Sequence, residues 1–200
     1  MTETEAQTKS DVAVEAEPLQ VEPSVYLLHL ALGTTQFAKG KNGPVYAAEV
    51  GVYRGRSLQI FLAESAKIDL DIEWIGIDTF TGLPALSAKD QELAPENAPY
   101  RLRPMFDDTT KREVEAFLEP LGMDDTYTLH EGLFAAVKKN LKSVKYSFLN
   151  LSIKTYDGHI EALNYFYKRM LPGGVLLLDD YFNRRFPMAQ EAINDFFEDK

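Results

Sequence analysis

Two glycines and two acids in this chain have the types and spacing of a nucleotide-type cofactor site. They lie in the segment Ala48-Glu49-Val50-Gly51-Val52-Tyr53-Arg54-Gly55-Arg56-Ser57 and at Asp78. The apolar run 45–50 in front of the glycines reads as a buried strand, and Leu58, Phe61, Leu62 and Ile68 then recur at helical spacing. Gly51 and Gly55 allow a sharp turn and a close approach of backbone to ligand, while the free N–H groups of the new helix face whatever sits there. Asp78 closes the next apolar run, Trp74 to Ile77, where a carboxylate can accept hydrogen bonds from ribose hydroxyls. The competing reading is a structural glycine turn with a surface glutamate.

The spacing departs from the dinucleotide fingerprint, because its third glycine is missing and Glu49 sits where a pyrophosphate binder avoids negative charge. Those two departures disfavour an α/β oxidoreductase. An acid beside the turn suits a cationic ligand by simple attraction. S-adenosylmethionine, which carries a sulfonium and an ammonium group and no phosphate, fits that description.

The surrounding pattern supplies the elements needed to position these groups. From Pro23, residues Val25, Leu28 and Leu32 mark a helix that stops near 40–43 and is expected to pack over the cofactor end. Strands are predicted at 45–50, 73–78, 126–130, 146–152 and 174–179. Helices are predicted at 55–68, 108–120, 133–141, 157–171 and 187–198. Such alternation predicts an α/β fold, a Rossmann-like, doubly wound, mostly parallel sheet. Gly82, Pro84, Pro95, Pro99 and Pro104 break up 81–106, predicting a long loop with short helices at most, of the kind that often carries function.

Two hundred residues, 45% of them hydrophobic, suffice for one domain with a sizeable core, placed here at 23–200. Residues 1–22 carry six acids against one lysine and no aromatic residue, and read as a disordered acidic tail. The formal net charge of −10 argues against a nucleic-acid partner. No apolar run approaches the length of a membrane span and no basic-then-apolar leader opens the chain, so a cytoplasmic location without a membrane partner is expected. With no cysteine, any metal must be held by oxygen or histidine.

Four segments occur in a fixed order: the glycine turn; Ile77-Asp78-Thr79-Phe80-Thr81-Gly82-Leu83-Pro84; Glu131-Gly132-Leu133-Phe134; and Pro172-Gly173-Gly174-Val175-Leu176-Leu177-Leu178-Asp179-Asp180-Tyr181. Together they resemble the macrocin O-methyltransferase family, class I S-adenosylmethionine-dependent enzymes that methylate sugar hydroxyls. The resemblance implies that Glu49, Gly51 and Gly55 hold the methionine part of the cofactor. Tyr53 and Ser57 belong to the same turn, Asp78 holds the ribose, and Thr79 and Phe80 flank the adenosine. His130 and Gly132, at the end of the third strand, fall beside the adenine, and Ser152 falls beside the cofactor. It also implies a sheet lacking the final strand pair that such methyltransferases carry, and a small-molecule acceptor. A second copy of the chain is a candidate partner for the edge left open.

In the family the fourth strand ends in Asp-x-Asp-x-Tyr, whose acids serve a magnesium ion and the general base. Here the stretch reads Ser152-Ile153-Lys154-Thr155-Tyr156, and both acids are gone. Asp179 and Asp180 remain as a weak or absent metal site, since magnesium usually takes more than one carboxylate in near-octahedral geometry. If Lys154 points toward that pair, its ammonium repels a dication and stands in for it. Lys154 and Asp179 are therefore the catalytic candidates, with a salt-bridged structural lysine as the plainer reading. His159, Tyr181 and Arg184 are candidates for the acceptor mouth, whereas His29 reads as a packing residue. The sequence leaves two functions open: an O-methyltransferase, metal-independent in its chemistry, or a catalytically impaired relative that binds S-adenosylmethionine or S-adenosylhomocysteine as a sensor or scaffold.

Overall fold

The computed structural model describes residues 23–39, 44–68 and 71–200. The acidic stretch 1–22 and the helix stop at 40–43 lie outside them. Helix α1 (Pro23–Lys39) leads into β1 (Val45–Val50), α2 (Arg56–Ser65) and β2 (Ile72–Asp78). The short α3 (Ala88–Leu93) and α4 (Lys111–Leu118) precede β3 (Tyr127–Glu131), α5 (Phe134–Val137) and β4 (Tyr146–Leu151). The chain closes with α6 (Tyr156–Phe166), β5 (Met170–Leu178) and α7 (Pro187–Phe197).

All strand pairs are parallel and the order is β3-β2-β1-β4-β5, so the chain reverses its winding between β1 and β4. Both faces of the sheet are covered, which is why the strands read as nearly continuous apolar runs. One face buries Val45, Ala47, Trp74 and Phe148 against Leu28 and Leu32 of α1, Phe61 and Leu62 of α2, and Val114 and Leu118 of α4. The other buries Ala48, Val50, Ile77, Leu149 and Leu151 against α5, α6 and α7. Ligands of such sheets bind outside the carboxyl ends of the strands at the reversal point, here the ends of β1 and β4.

Three expectations need correction. Helix α1 does not cover the cofactor end. Its Thr35 hydroxyl donates to Ser147 Oγ at 2.8 Å, at the start of β4, and His29 lies 3.5 Å from Glu64 in the last turn of α2, so α1 is anchored toward the amino ends of the strands. Helix α6 stops at Phe166 and gives way to a 3-10 turn, Tyr167–Arg169, instead of running to 171. Strand β5 therefore begins at Met170, four residues early. It runs through Pro172 and Gly173 because Tyr146 pairs with Met170 and Phe148 with Val175, which leaves the intervening residues bulged. Proline is tolerated there because β5, paired only with β4 among the described strands, is an edge.

Residues 81–106 form a closed excursion. The Leu83 N–H donates to Met105 O at 2.8 Å, zipping its base. Inside, Ala94, Ala98 and Tyr100 pack on Phe186 from the β5–α7 connection and Met188 from the first turn of α7, and Tyr100 stacks on Phe186 with ring centroids 4.9 Å apart. Asp90 then ties the excursion to the sheet. Its carboxylate is buried, caps α3 through Ser87, and accepts the Tyr156 N–H at 2.7 Å, the first residue of α6.

Candidate cofactor and acceptor site

Beyond the ends of β1, β2 and β4 opens a cavity of about 410 Å³, a size that suits a small ligand. Gly51 makes its floor possible. Its φ is +94°, and a Cβ there would lie 2.2 Å from Ser152 O, because the connections after β1 and β4 cross in contact. Two non-glycine residues beside it, Tyr53 and Phe80, also have positive φ, 50° each, a conformation that costs of order 1–3 kcal/mol per residue. One carboxylate holds both. Asp78 Oδ2 accepts the Tyr53 N–H at 2.8 Å and Oδ1 accepts the Phe80 N–H at 2.9 Å. An ionised carboxylate has about four acceptor positions, so Asp78, which lines the cavity, retains capacity for ribose hydroxyls.

The outer wall is a clasp. The Tyr53 hydroxyl donates to Asp108 Oδ1 at 2.6 Å, Arg54 pairs with the same carboxylate, and the Tyr53 ring meets Phe106 edge-on at 5.2 Å. The Tyr53 hydrogen bond, with Arg54 beside it, holds the Asp108 carboxyl below its usual range. Tyr53, Ser57, Thr79, Gly132, Ser152 and Lys154 join Gly51 and Asp78 around the cavity. Thr79 Oγ1 donates to Gly82 O at 2.7 Å, fixing the turn that starts the excursion.

At the acceptor side the two acids after β5 are split. Lys154 Nζ forms an ion pair with Asp180, whose side chain is only 4% exposed, and also donates to Ser152 Oγ at 3.1 Å. The other Asp180 oxygen accepts from Asn183 Nδ2 at 2.8 Å. The Lys154 ammonium sits 5.9 Å from the Phe106 ring centroid and 6.0 Å from that of Phe186, so aromatic faces flank it. Asp179 stays exposed, with only a 3.3 Å contact from the Ser152 hydroxyl. Among the described residues no three His, Asp or Glu groups are placed to hold a metal. With Asp180 bound to Lys154 and Asn183, the donor set does not fit magnesium.

Several residues expected at the site lie elsewhere. Gly55 (φ +78°) turns toward α4, where a Cβ would lie 2.8 Å from Val114 Cγ1, so it serves helix packing. Phe80 is buried in the core under the turn. His130 lines a separate depression with Thr128, Asn140 and Leu141, because Leu129 next to it points into the core and strand neighbours alternate. Burial lowers its pKa, as does Lys111. His159 is wholly buried in α6 instead of at the mouth, with Nδ1 3.0 Å from Thr155 O. Tyr181 donates its hydroxyl to Asn194 Oδ1 at 2.8 Å, and Arg184 is exposed; neither lines the cavity. Asp179 and Asp180 are absent from the lining as well, Asp180 being occupied by Lys154 and Asn183.

Glu49 does not line the cavity directly. It is 1% exposed beneath Val50 and Gly51, its Oε1 accepts from Asn150 Nδ2 at 2.7 Å, and its Oε2 has no partner. Desolvation pushes its pKa up to about 8, against the Asn150 hydrogen bond and with Asp179 and Asp78 adding to the rise. A buried carboxyl oxygen left unsatisfied under a glycine cradle fits a ligand that brings positive charge, as S-adenosylmethionine does. Three contributors escaped the sequence reading. Phe106 lay in an uncommitted loop, Asp90 was signalled by the Ser87-x-x-Asp90 capping pattern, and Asn150 by a polar residue inside a buried apolar run.

Comparison with known proteins agrees with this geometry. The family model for macrocin O-methyltransferase (TylF) matches residues 37–200. The structure of the O-methyltransferase NovP superposes with a TM-score of 0.69 at 20% identity, over 86% of this chain and 68% of NovP. The calicheamicin methyltransferase CalS11 gives 0.64 at 20% identity, over 85% and 69%. An apo structure of CalS11, described as a TDP-rhamnose 3'-O-methyltransferase, gives 0.52. At these identities the likeness speaks for the fold, that of class I methyltransferases. No curated protein matches the sequence. The family match over most of the chain, on a sheet whose reversal point carries the glycine cradle and Asp78, places this protein in the macrocin O-methyltransferase family of S-adenosylmethionine-dependent enzymes.

Proposed function

We propose that the protein transfers a methyl group to a hydroxyl of a small sugar-like acceptor, with the Lys154 ammonium standing where a metal ion would otherwise lie. The observation that carries this reading is the Ser152–Lys154–Asp180 constellation beside the cavity. S-adenosylmethionine, when bound, supplies an activated methyl on a cationic sulfur. Asp78 accepts ribose hydroxyls, and Gly51 lets the backbone approach the methionine end. Tyr53 and Phe106 close the outer wall and exclude water. Asp179, the carboxylate left free, would take the proton of an acceptor hydroxyl while the cofactor held by Asp78 and Gly51 would supply the methyl group. Lys154 adds a fixed positive charge that steadies the developing oxyanion without reorganising. Orientation and desolvation account for much of the rate in such a transfer.

One observation favours a second reading, in which the protein binds the cofactor or its demethylated product without turnover: neither family acid of the fourth strand is present. Methyl-labelled S-adenosylmethionine with a panel of nucleotide sugars and glycosides, in EDTA, separates the two. Label in an acceptor that persists in EDTA and vanishes in Asp179→Asn supports the metal-free transfer. Cofactor binding with no transfer to any acceptor supports the second reading.

A further inference from the structure

Glu49 and Asn150 are register partners on β1 and β4, and each keeps one side-chain oxygen, Glu49 Oε2 and Asn150 Oδ1, buried without a hydrogen-bond partner. Both residues are essentially inaccessible, at 1% and 2%. An ionised carboxylate with a single amide donor in such a place is strongly disfavoured, so the empty site favours the protonated acid. The charged groups that act on it come from three elements. Asp78 ends β2 and Asp179 follows β5, both opposing ionisation, whereas Lys154 from the β4–α6 connection favours it. Val50 and Gly51, the two residues that follow Glu49, line the cavity. A cation arriving there acts on Glu49 in the same sense as Lys154, through a low-dielectric floor that screens little.

We propose that Glu49 is protonated while the cavity is empty and releases that proton when the cation-bearing cofactor enters, so that cofactor binding is proton-coupled. Desolvation, which lifts its pKa to about 8, agrees with the empty-state half of this cycle. The coupling rests on the cofactor reading given above. It makes affinity rise with pH from 6 toward 8, because the ionised acid already present at higher pH needs no proton removed, and the gain approaches about tenfold per pH unit.

The test is calorimetric titration of the full chain with S-adenosylmethionine at pH 6, 7 and 7.5, in phosphate and in Tris, whose ionisation heats differ. The expected result is a buffer-dependent heat corresponding to release of up to about one proton, with affinity rising as pH rises. In Glu49→Gln both dependences are lost, with circular dichroism reporting that the variant is folded. Wild-type binding with the same heat in both buffers and a flat affinity overturns the coupling while leaving the cofactor reading intact. The same dependences surviving in a folded Glu49→Gln overturn the assignment to Glu49. No binding at any pH overturns the cofactor reading and the coupling with it.

Discussion

Replacing Lys154 by methionine keeps most of the side chain's length and removes the ammonium with its hydrogen bond to Ser152 Oγ, leaving Asp180 as a buried acid without its ion-pair partner. Breaking one side of a buried ion pair costs about 3–5 kcal/mol. Here Lys154 is 18% exposed and Asp180 retains the Asn183 amide, so the lower end, about 3 kcal/mol, applies. For a chain of this size each kcal/mol lowers the melting temperature by about 2–4 °C, which makes the expected drop about 6–12 °C at pH 7. Urea unfolding and thermal melts followed by circular dichroism read this directly. Pairing the change with Asp180→Asn removes the stranded charge and recovers most of the stability. A loss below about 1 kcal/mol, or a double variant as unstable as the single one, would refute the view that this pair is a buried electrostatic unit.

Ser152→Asp with Lys154→Asp returns both acids beside Asp179 and Asp180, and calorimetric titration with magnesium is expected to show binding that the parent chain lacks; identical traces for the two proteins contradict the charge argument. Gly51→Ala forces a Cβ to within 2.2 Å of Ser152 O, so cofactor binding is expected to be abolished and the unfolding free energy to fall by at least about 2 kcal/mol, both measurable in melts with and without cofactor. Asp78→Asn removes a charged acceptor that also holds Tyr53 and Phe80, and is expected to weaken S-adenosylmethionine by about 10- to 100-fold in a binding titration. Because the folded pKa of Glu49 is raised, its protonated form contributes stability below its unfolded value that is lost as pH rises toward about 8. The difference between the unfolding free energies of Glu49→Gln and parent, measured from pH 5 to 8, should therefore shift in favour of the variant as pH rises.

The sheet was legible because its strands are apolar on both faces, so short runs such as 45–50 and 146–151 stand out without any alternation to interpret. The cofactor turn was legible because only glycine tolerates the crossing at residue 51. Reading failed where one residue obeys two patterns. Pro172 and Gly173 carry a turn signature, yet they lie inside β5, since an edge strand has no second neighbour to demand the N–H that Pro172 lacks. His159 looked like a mouth residue from its place in the first turn of α6. Its spacing with Ala162, Leu163 and Phe166, at i+3, i+4 and i+7, nonetheless marks the inward stripe, and period alone would have placed it correctly. For His130 the alternation with Leu129 carried the same information. The Lys154–Asp180 pair was anticipated only as a conditional, since spacing cannot say where a lysine's four-carbon stem will lead.

The excursion 81–106 has consequences for how the molecule can change. Its base is sealed by the Leu83–Met105 hydrogen bond, its interior packs as a small unit on Phe186 and Met188, and its polar ties to the rest of the chain include Asp90 to the Tyr156 N–H and the Tyr100 hydroxyl to Arg185 O. None of the residues between Ser87 and Met105 borders the cofactor cavity. The stretch between Ser87 and Met105 is thus a self-contained unit: it can change in length or sequence, keeping the capping serine and aspartate, while the residues that line the cavity stay as they are. Variation in this unit and variation in the cavity lining are therefore separable in such a chain, and one can change without the other being rebuilt.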